Sequence, residues 1–385
     1  MDDAPWFDRS RPESARVLGF YGLSIEGIGS APSSRSTTSL ITDGSLLGPL
    51  RFKHREMRFK VLVVSLDDCA ASYALEYLAA ALHGTVCGDT TCTGDTMCVW
   101  SCCPDCTSAS TEAPGTRQLR TLYDVGLIDG PHETDRSYMY GPGAGDRGCS
   151  GPGCNQENPV FSNVEFTVAA GKPWLFHQPV SSPASGWVPL ANGQLLTNFD
   201  PDAVLSQCPK PVDCTLDPNC ILPPLPPLPP LPVDDCYPRG PMTARRTMLT
   251  IRAQEVPEWL ESVPVVQLFT GTDKPLRRLT VRFYANPIAT DCSASTPDPC
   301  TACADINIAY LPPNSNAVID GRTQRASVDC SGGLGRVNLV GPLGAAFEWP
   351  VFACGSGWCV EIISSSDLGT GAQVRVQLAA RSDAA

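Results

Sequence analysis

The stretch from Arg55 to Leu82 constrains the fold most, because it reads as a strand running directly into a helix. In REMRFKVLVVSL, Met57, Phe59, Val61 and Val63 share one parity. Arg58 and Lys60 hold the other parity, which turns apolar at Leu62, Val64 and Leu66. Alternation that becomes apolar on both sides fits a strand passing from a sheet margin into a covered centre. Ser65, Asp67 and Asp68 follow, and such residues accept hydrogen bonds from free helix N–H groups and suit the positive helix end. CAASYALEYLAAAL then places Ala71, Leu75, Leu78 and Leu82 on one 3.6-period face, with Gly84 as a stop. No other segment reads as a convincing amphipathic helix. The expected fold is therefore mainly β, with one helix packed on a sheet.

Composition supports that reading. The 33 glycines and 37 prolines favour turns and strands over helix bundles, and 385 residues suggest two domains. No apolar run reaches the ~18–20 residues of a membrane span. The opening MDDAPWFDRSRPES is acidic and polar, so no secretory signal is expected there. A net charge of −12 argues against nucleic-acid binding as the main function. Nineteen cysteines without such a signal fit a protein made in cytoplasm and used outside the cell.

Along the first half, residues 1–14 read as an extended arm. Trp6 and Phe7 anchor it either on a neighbour or in a groove of their own domain. RVLGFYGLSIEGIG reads as a strand pair or one bent strand, Arg35–Ile41 as another, and Asp43-Gly44 as a tight turn. Arg51, Lys53, Arg55, Arg58 and Lys60 face the single acid Glu56 in RFKHREMRFK. They form either a solvated strand face or a contact with an acidic neighbouring subunit, and these five are the interface candidates. Arg117–Ile128 reads as a strand ended by a turn at Asp129-Gly130-Pro131. In Asn163–Ala169, Val164, Phe166 and Val168 point inward, with Glu165 and Thr167 outward. Trp174 reads as a core plug.

The cysteines group by region. Cys87, Cys92, Cys98, Cys102, Cys103 and Cys106 fill one insertion, and Cys149 and Cys154 bracket another. Cys208, Cys214, Cys220 and Cys236 flank the proline-rich divide, and Cys292, Cys300, Cys303, Cys330, Cys354 and Cys359 lie beyond it. All eighteen are disulfide candidates. Zinc is the alternative for the CxxC pairs Cys103–Cys106 and Cys300–Cys303, which lie in different halves of the chain. Nine cysteines precede the divide, an odd number, and Cys69 at the helix start is the expected free thiol.

Residues 222–232 read LPPLPPLPPLP, a three-residue period that specifies polyproline II and suits a semi-rigid spacer. The expected domains are 1–207, a linker at 208–240, and 241–385. The last carries short candidate strands at Arg246–Ala253, Val263–Phe269, Leu279–Ala285, Ile306–Tyr310, Arg325–Asp329, Val337–Val340, Val360–Ile363 and Val374–Leu378. Such spacing suggests a β-sandwich of jelly-roll or lectin-like type. Trp259, Trp349 and Trp358 read as core residues, with a sugar platform as the alternative.

The order of parts over roughly residues 14–180 resembles the N-terminal domain of distal tail proteins of long-tailed, non-contractile bacteriophages. The parts are GFYGLSIEG, TDGSLLG, RFKHREMRFKVLVV, ALEYLAAAL, RQLRTLYDVGLIDGP and NVEFTVAAGKPWLF. INIAYLPPNSNAVIDGRTQRASVD resembles the hairpin of C-terminal sandwich domains in phage tail proteins. The resemblance implies a structural minor tail protein: a hexameric ring at the virion tail tip, or baseplate, joining tail tube to tip hub. Assembly would take place in the host cytoplasm, with other minor tail proteins as partners and a host-surface glycan as a further candidate partner. The rival reading is a disulfide-rich carbohydrate-binding module protein acting in adhesion.

Catalytic patterns are absent. None of His54, His83, His132 and His177 sits in HExxH, and there is no GxSxG, P-loop or post-strand GxGxxG. No enzyme activity, cofactor, catalytic residue or metal site is expected.

Overall fold

The computed structural model describes residues 4–29, 31–39, 43, 45–83, 95–100, 118–138, 159–181, 186–199, 242–252, 259–286, 291–292, 297–330, 333–341, 346–352 and 357–383. The proline-rich linker at 208–240 lies outside them, as do Cys87, Cys92, Cys102, Cys103, Cys106, Cys149, Cys154, Cys208, Cys214, Cys220, Cys236 and Cys354. The fold is mainly β, with antiparallel sheets and a single α-helix among the described residues. No helix there is long and apolar enough to cross a membrane. The chain divides into two compact units: Met1–Gln178 with Arg381–Ala385, and Pro179–Ala380.

The first unit is built on four antiparallel strands. Val17–Glu26 is the edge strand. It pairs with the basic strand Arg55–Ser65, which pairs with Val160–Ala170, which pairs with the long strand Leu119–Tyr138. The basic strand forms where its alternation was read, and the helix Asp68–His83 follows it. Asp67 Oδ1 accepts from the Ala70 N–H at 2.7 Å, the bond of an N-cap residue. Ala70, Ala74 and partly buried Leu75 and Leu78 pack on Val17, Val63 and Val164, joined by Trp6 and Phe20. Trp6 therefore folds back on its own unit, its indole donating to the Val17 carbonyl at 3.3 Å. A second cluster, around Met57, Leu122, Phe166 and Val168, extends the same face of the sheet. Val160–Ala170 alternates without a break, burying Val164, Phe166 and Val168.

The long strand corrects the turn expected at Asp129-Gly130-Pro131. It continues through these residues to Tyr138, with register shifts around them. Gly130 takes φ +90°, and a Cβ there would lie 2.8 Å from the Glu165 carbonyl. The glycine and the N–H-lacking proline bulge the ladder without ending it. Thr37–Ser39 pairs with Ser45–Leu47.

The second unit is a sandwich. One sheet runs, by pairing, Gln194–Phe199, Met242–Ile251, Gly357–Ser365, Leu276–Asn286, Ala304–Leu311 and Leu339–Val340. The other holds Gln373–Ala380, Glu261–Phe269, Asn316–Asp320, Arg325–Cys330 and Gly333–Arg336. Val281, Phe283, Ile306 and Val360 from the first meet Val266, Leu268, Ile319 and Val376 from the second. The sequence reading put Gln194–Phe199 with the first domain; its ladder to Met242–Ile251 puts it in this unit. Trp358 is in the core and Trp349 packs against it, whereas Trp259 is 79% exposed.

Candidate assembly surface

The register of the four-stranded sheet sorts its side chains. Val17, Ser65, Val160 and Tyr138 share one row, and Glu26, Arg58, Thr167 and Asp129 share another. The two outer strands thus cover the same rows, Val17–Glu26 on one margin and residues 129–138 on the other. Among the described residues each is hydrogen-bonded on one side only in that span. The edge strand exposes Leu18, Tyr21, Leu23 and Ile25, and the other margin exposes Ile128 and Tyr138. A ten-residue apolar edge with unpaired backbone groups is a template for another strand.

One face of the sheet carries the helix. The opposite face presents Glu26, Glu56, Asp129, Asp135 and Glu165 against two cations, Arg58 and Lys60, a balance of −3 per copy with histidine neutral. Both cations are held by Glu165, Arg58 Nη2 on Oε2 and Lys60 Nζ 3.1 Å from Oε1. These two partners keep the Glu165 carboxyl below its ordinary range, Lys60 contributing most. His54 and His132 each lie on a carboxylate, Glu56 and Asp129.

The five interface candidates separate. Arg55 is fully buried and is not an interface residue. Its guanidinium donates to the carbonyls of Pro173 at 2.9 Å, Ile28 at 2.6 Å and Asp383 at 2.7 Å, with Gly27 at 3.5 Å. It shares inward parity with Met57, which is the signal that identifies it. Arg58 and Lys60 are engaged within their own sheet, while Arg51 and Lys53 are exposed. The edge-strand apolar residues were missed because GFYGLSIEG reads equally well as a half-buried strand; exposure of both its sides depends on what the neighbouring strands leave uncovered.

On the helix side of the margin, Arg136 joins Glu133 at 2.7 Å and Asp68 at 3.0 Å, and the Tyr138 hydroxyl reaches Asp68 at 3.1 Å. Hydrogen bonding to Arg136 lowers the Glu133 carboxyl below its ordinary range. This network fastens the second margin to the helix start.

Of the described cysteines, Cys292 and Cys359 form a buried disulfide. Cys300 is also disulfide-bonded. Cys69 is a free thiol, and so are Cys98 and Cys303, which the sequence reading named as disulfide candidates. Cys330 ends a strand. No group of three or more metal-binding side chains occurs among the described residues.

Neither a protein-family model nor a curated protein matches the chain. Among solved structures the chain is similar to the Dit protein (gp 19.1) of phage SPP1, described as a paradigm of the hub adsorption apparatus in phages infecting Gram-positive hosts. That alignment has 8% identity and a TM-score of 0.35, covering 97% of this chain and 96% of the other. It is also similar to a chain of the phage p2 baseplate in its activated conformation with strontium, at 9% identity and TM-score 0.38, covering 95% and 92%. The corresponding calcium structure gives 10% identity and TM-score 0.37, covering 96% and 93%.

Proposed function

We propose that the chain is a structural subunit of a phage tail tip, closing with copies of itself into a ring that joins the tail tube to the tip hub. The observation that carries this reading is the pair of matched margins on the four-stranded sheet, each hydrogen-bonded on one side only among the described residues. Successive strands alternate in direction, so Val17–Glu26 and residues 129–138 run antiparallel to one another. A rotation-related copy therefore brings its Val17–Glu26 beside the 129–138 margin of the next in an antiparallel pairing, and repetition closes a ring. Pairing of two Val17–Glu26 edges about a two-fold axis would leave both other margins open. Six copies, the number the sequence resemblance implies, would contribute 6 × 4 = 24 strands. At about 4.8 Å per strand and ~40° tilt, such a barrel is roughly 50 Å across between backbones.

The helix-bearing face cannot turn inward without filling the bore, so the opposite face lines it. Arg58 and Lys60 lie on that face, each masked by Glu165. A net −3 per copy repels DNA in transit, because DNA affinity needs unmasked Lys and Arg. Arg51 and Lys53 remain available for an acidic neighbour. For the glycan contact, the favouring observation is Trp259, exposed on the second unit; a glycan array on the full chain and a Trp259→Ala variant tests it, and equal binding by both would remove it.

Changing Leu23 and Ile25 together to Asp tests the ring. The double variant should stay folded by circular dichroism and lose assembly by light scattering. Assembly equal to that of the unchanged chain would overturn the edge pairing.

A further inference from the structure

The first unit leaves off at Gln178 and resumes at Arg381, so its last contribution follows the whole of the second unit in sequence. Among these residues Arg381 and Ser382 are half-buried and Asp383 is exposed, and none carries a large apolar side chain. What holds them is polar and aromatic contact. Arg381 and Ser382 pair with Phe176 and Leu175, and the Ser382 hydroxyl donates to the Leu175 carbonyl at 3.4 Å. The Arg381 guanidinium lies 4.2 Å from the centroid of the Trp174 ring, which packs on Phe52 at 4.4 Å.

The Asp383 carbonyl makes the longer connection. It accepts from Arg55 Nη2 and from the Ala31 N–H, both at 2.7 Å. One oxygen thus joins three segments and uses both of its lone pairs. Arg55 carries the link onward, donating to the carbonyls of Ile28 at 2.6 Å and Pro173 at 2.9 Å. Gly27 and Ile28 follow directly on the edge strand Val17–Glu26. Gly27 takes φ +84°, and a Cβ there would run into the Glu56 carbonyl. The chain therefore leaves the edge strand by a turn pressed on the basic strand and tied, through Arg55 and Ala31, to Asp383. Several polar bonds over little buried apolar surface mark a segment that opens before the core does.

We propose that residues 381–383 are a latch on the edge strand. Docked, they hold the turn after Glu26 and fix the strand's end for pairing with the next copy. Released, they free that turn while the helix and the sheet beneath it stay folded. Pairing between copies then waits for the segment that comes last in the unit. This consequence rests on the edge pairing proposed above, whereas the latch itself does not.

The test compares the full chain, a chain ending at Ala380 and an Arg381→Ala variant, with amide exchange read residue by residue. Removing residues 381–385 should speed exchange at Ala31 roughly tenfold or more. It should leave unchanged Leu66, which donates to the Arg16 carbonyl in the first unit, and Ser262, which donates to the Phe352 carbonyl in the second. Arg381→Ala keeps the backbone bonds and should change Ala31 much less. Light scattering should find the shortened chain unassembled at concentrations where the unchanged chain assembles. Unaltered exchange at Ala31 would overturn the latch. So would equal acceleration at Leu66, which would make the segment part of the unit's general stability. Faster exchange at Ala31 with assembly intact would overturn its role in pairing. If the shortened chain does not fold, exchange of the unchanged chain in rising urea decides the matter: Ala31 should open before Leu66, and opening only together with Leu66 would overturn the proposal. An unchanged chain that never assembles would remove the ring reading, while the exchange rates still judge the latch.

Discussion

A guanidinium sealed among carbonyl oxygens keeps its charge only if those oxygens are already in place. Arg55 meets this condition through Gly27, Ile28, Pro173 and Asp383, tying the end of the edge strand to two distant segments of the same unit. Replacing it by Met would leave buried carbonyls without donors, and the first unit should lose at least ~3 kcal/mol in denaturant melts. Arg58→Ala should leave those melts nearly unchanged, since that side chain is half exposed and solvent already weakens its ion pair. A glutamate at Arg55 would bury a carboxylate against carbonyls, so it cannot serve as a test of assembly. Parity alone distinguishes the two arginines in the sequence, whereas the partners of Arg55 lie 27 to 328 residues away and no local pattern announces them. Acid should also act through Glu133. Its folded carboxyl titrates below the ordinary value of 4.5, so the unfolded chain binds its proton first. The stability it contributes is present above about pH 4.5 and is lost as pH falls below that. Glu133→Gln should flatten the acid limb of the first unit's stability profile, and a profile unchanged in shape would argue against the Arg136 network.

Elements were legible where periodicity and burial agree. The basic strand, the helix after it and the alternating strand at Val160–Ala170 follow from side-chain pattern, because each buries one well-defined face. The long strand was truncated in the sequence reading because Asp-Gly-Pro has the chemistry of a turn, while cross-strand pairing with Val160–Ala170 supplies enough ladder on both sides to carry it through. Gly130→Ala tests that account: a Cβ at φ +90° and 2.8 Å from the Glu165 carbonyl should destabilise the unit by about 1–3 kcal/mol. An alanine variant as stable as the unchanged chain would mean the bulge is looser than described. The apolar edge was invisible for a different reason. Whether Leu23 and Ile25 are covered depends on strand order, which is a property of the sheet and not of the segment. The paired Asp substitution at these positions should abolish association and leave the helix signal intact.

At the scale of the whole molecule, the two units present different surfaces. The first presents two strand margins and an acidic face, and the second is a sandwich with its own core. The central claim is that the first unit closes a ring through its edges. Light scattering on the purified full chain, with negative-stain images of the same sample, tests it most directly. The account predicts closed rings of mass 6 × 41.0 kDa with a central opening. Particles of 41.0 kDa at concentrations of tens of micromolar, or two-fold dimers joined through Val17–Glu26 with no opening, would contradict it.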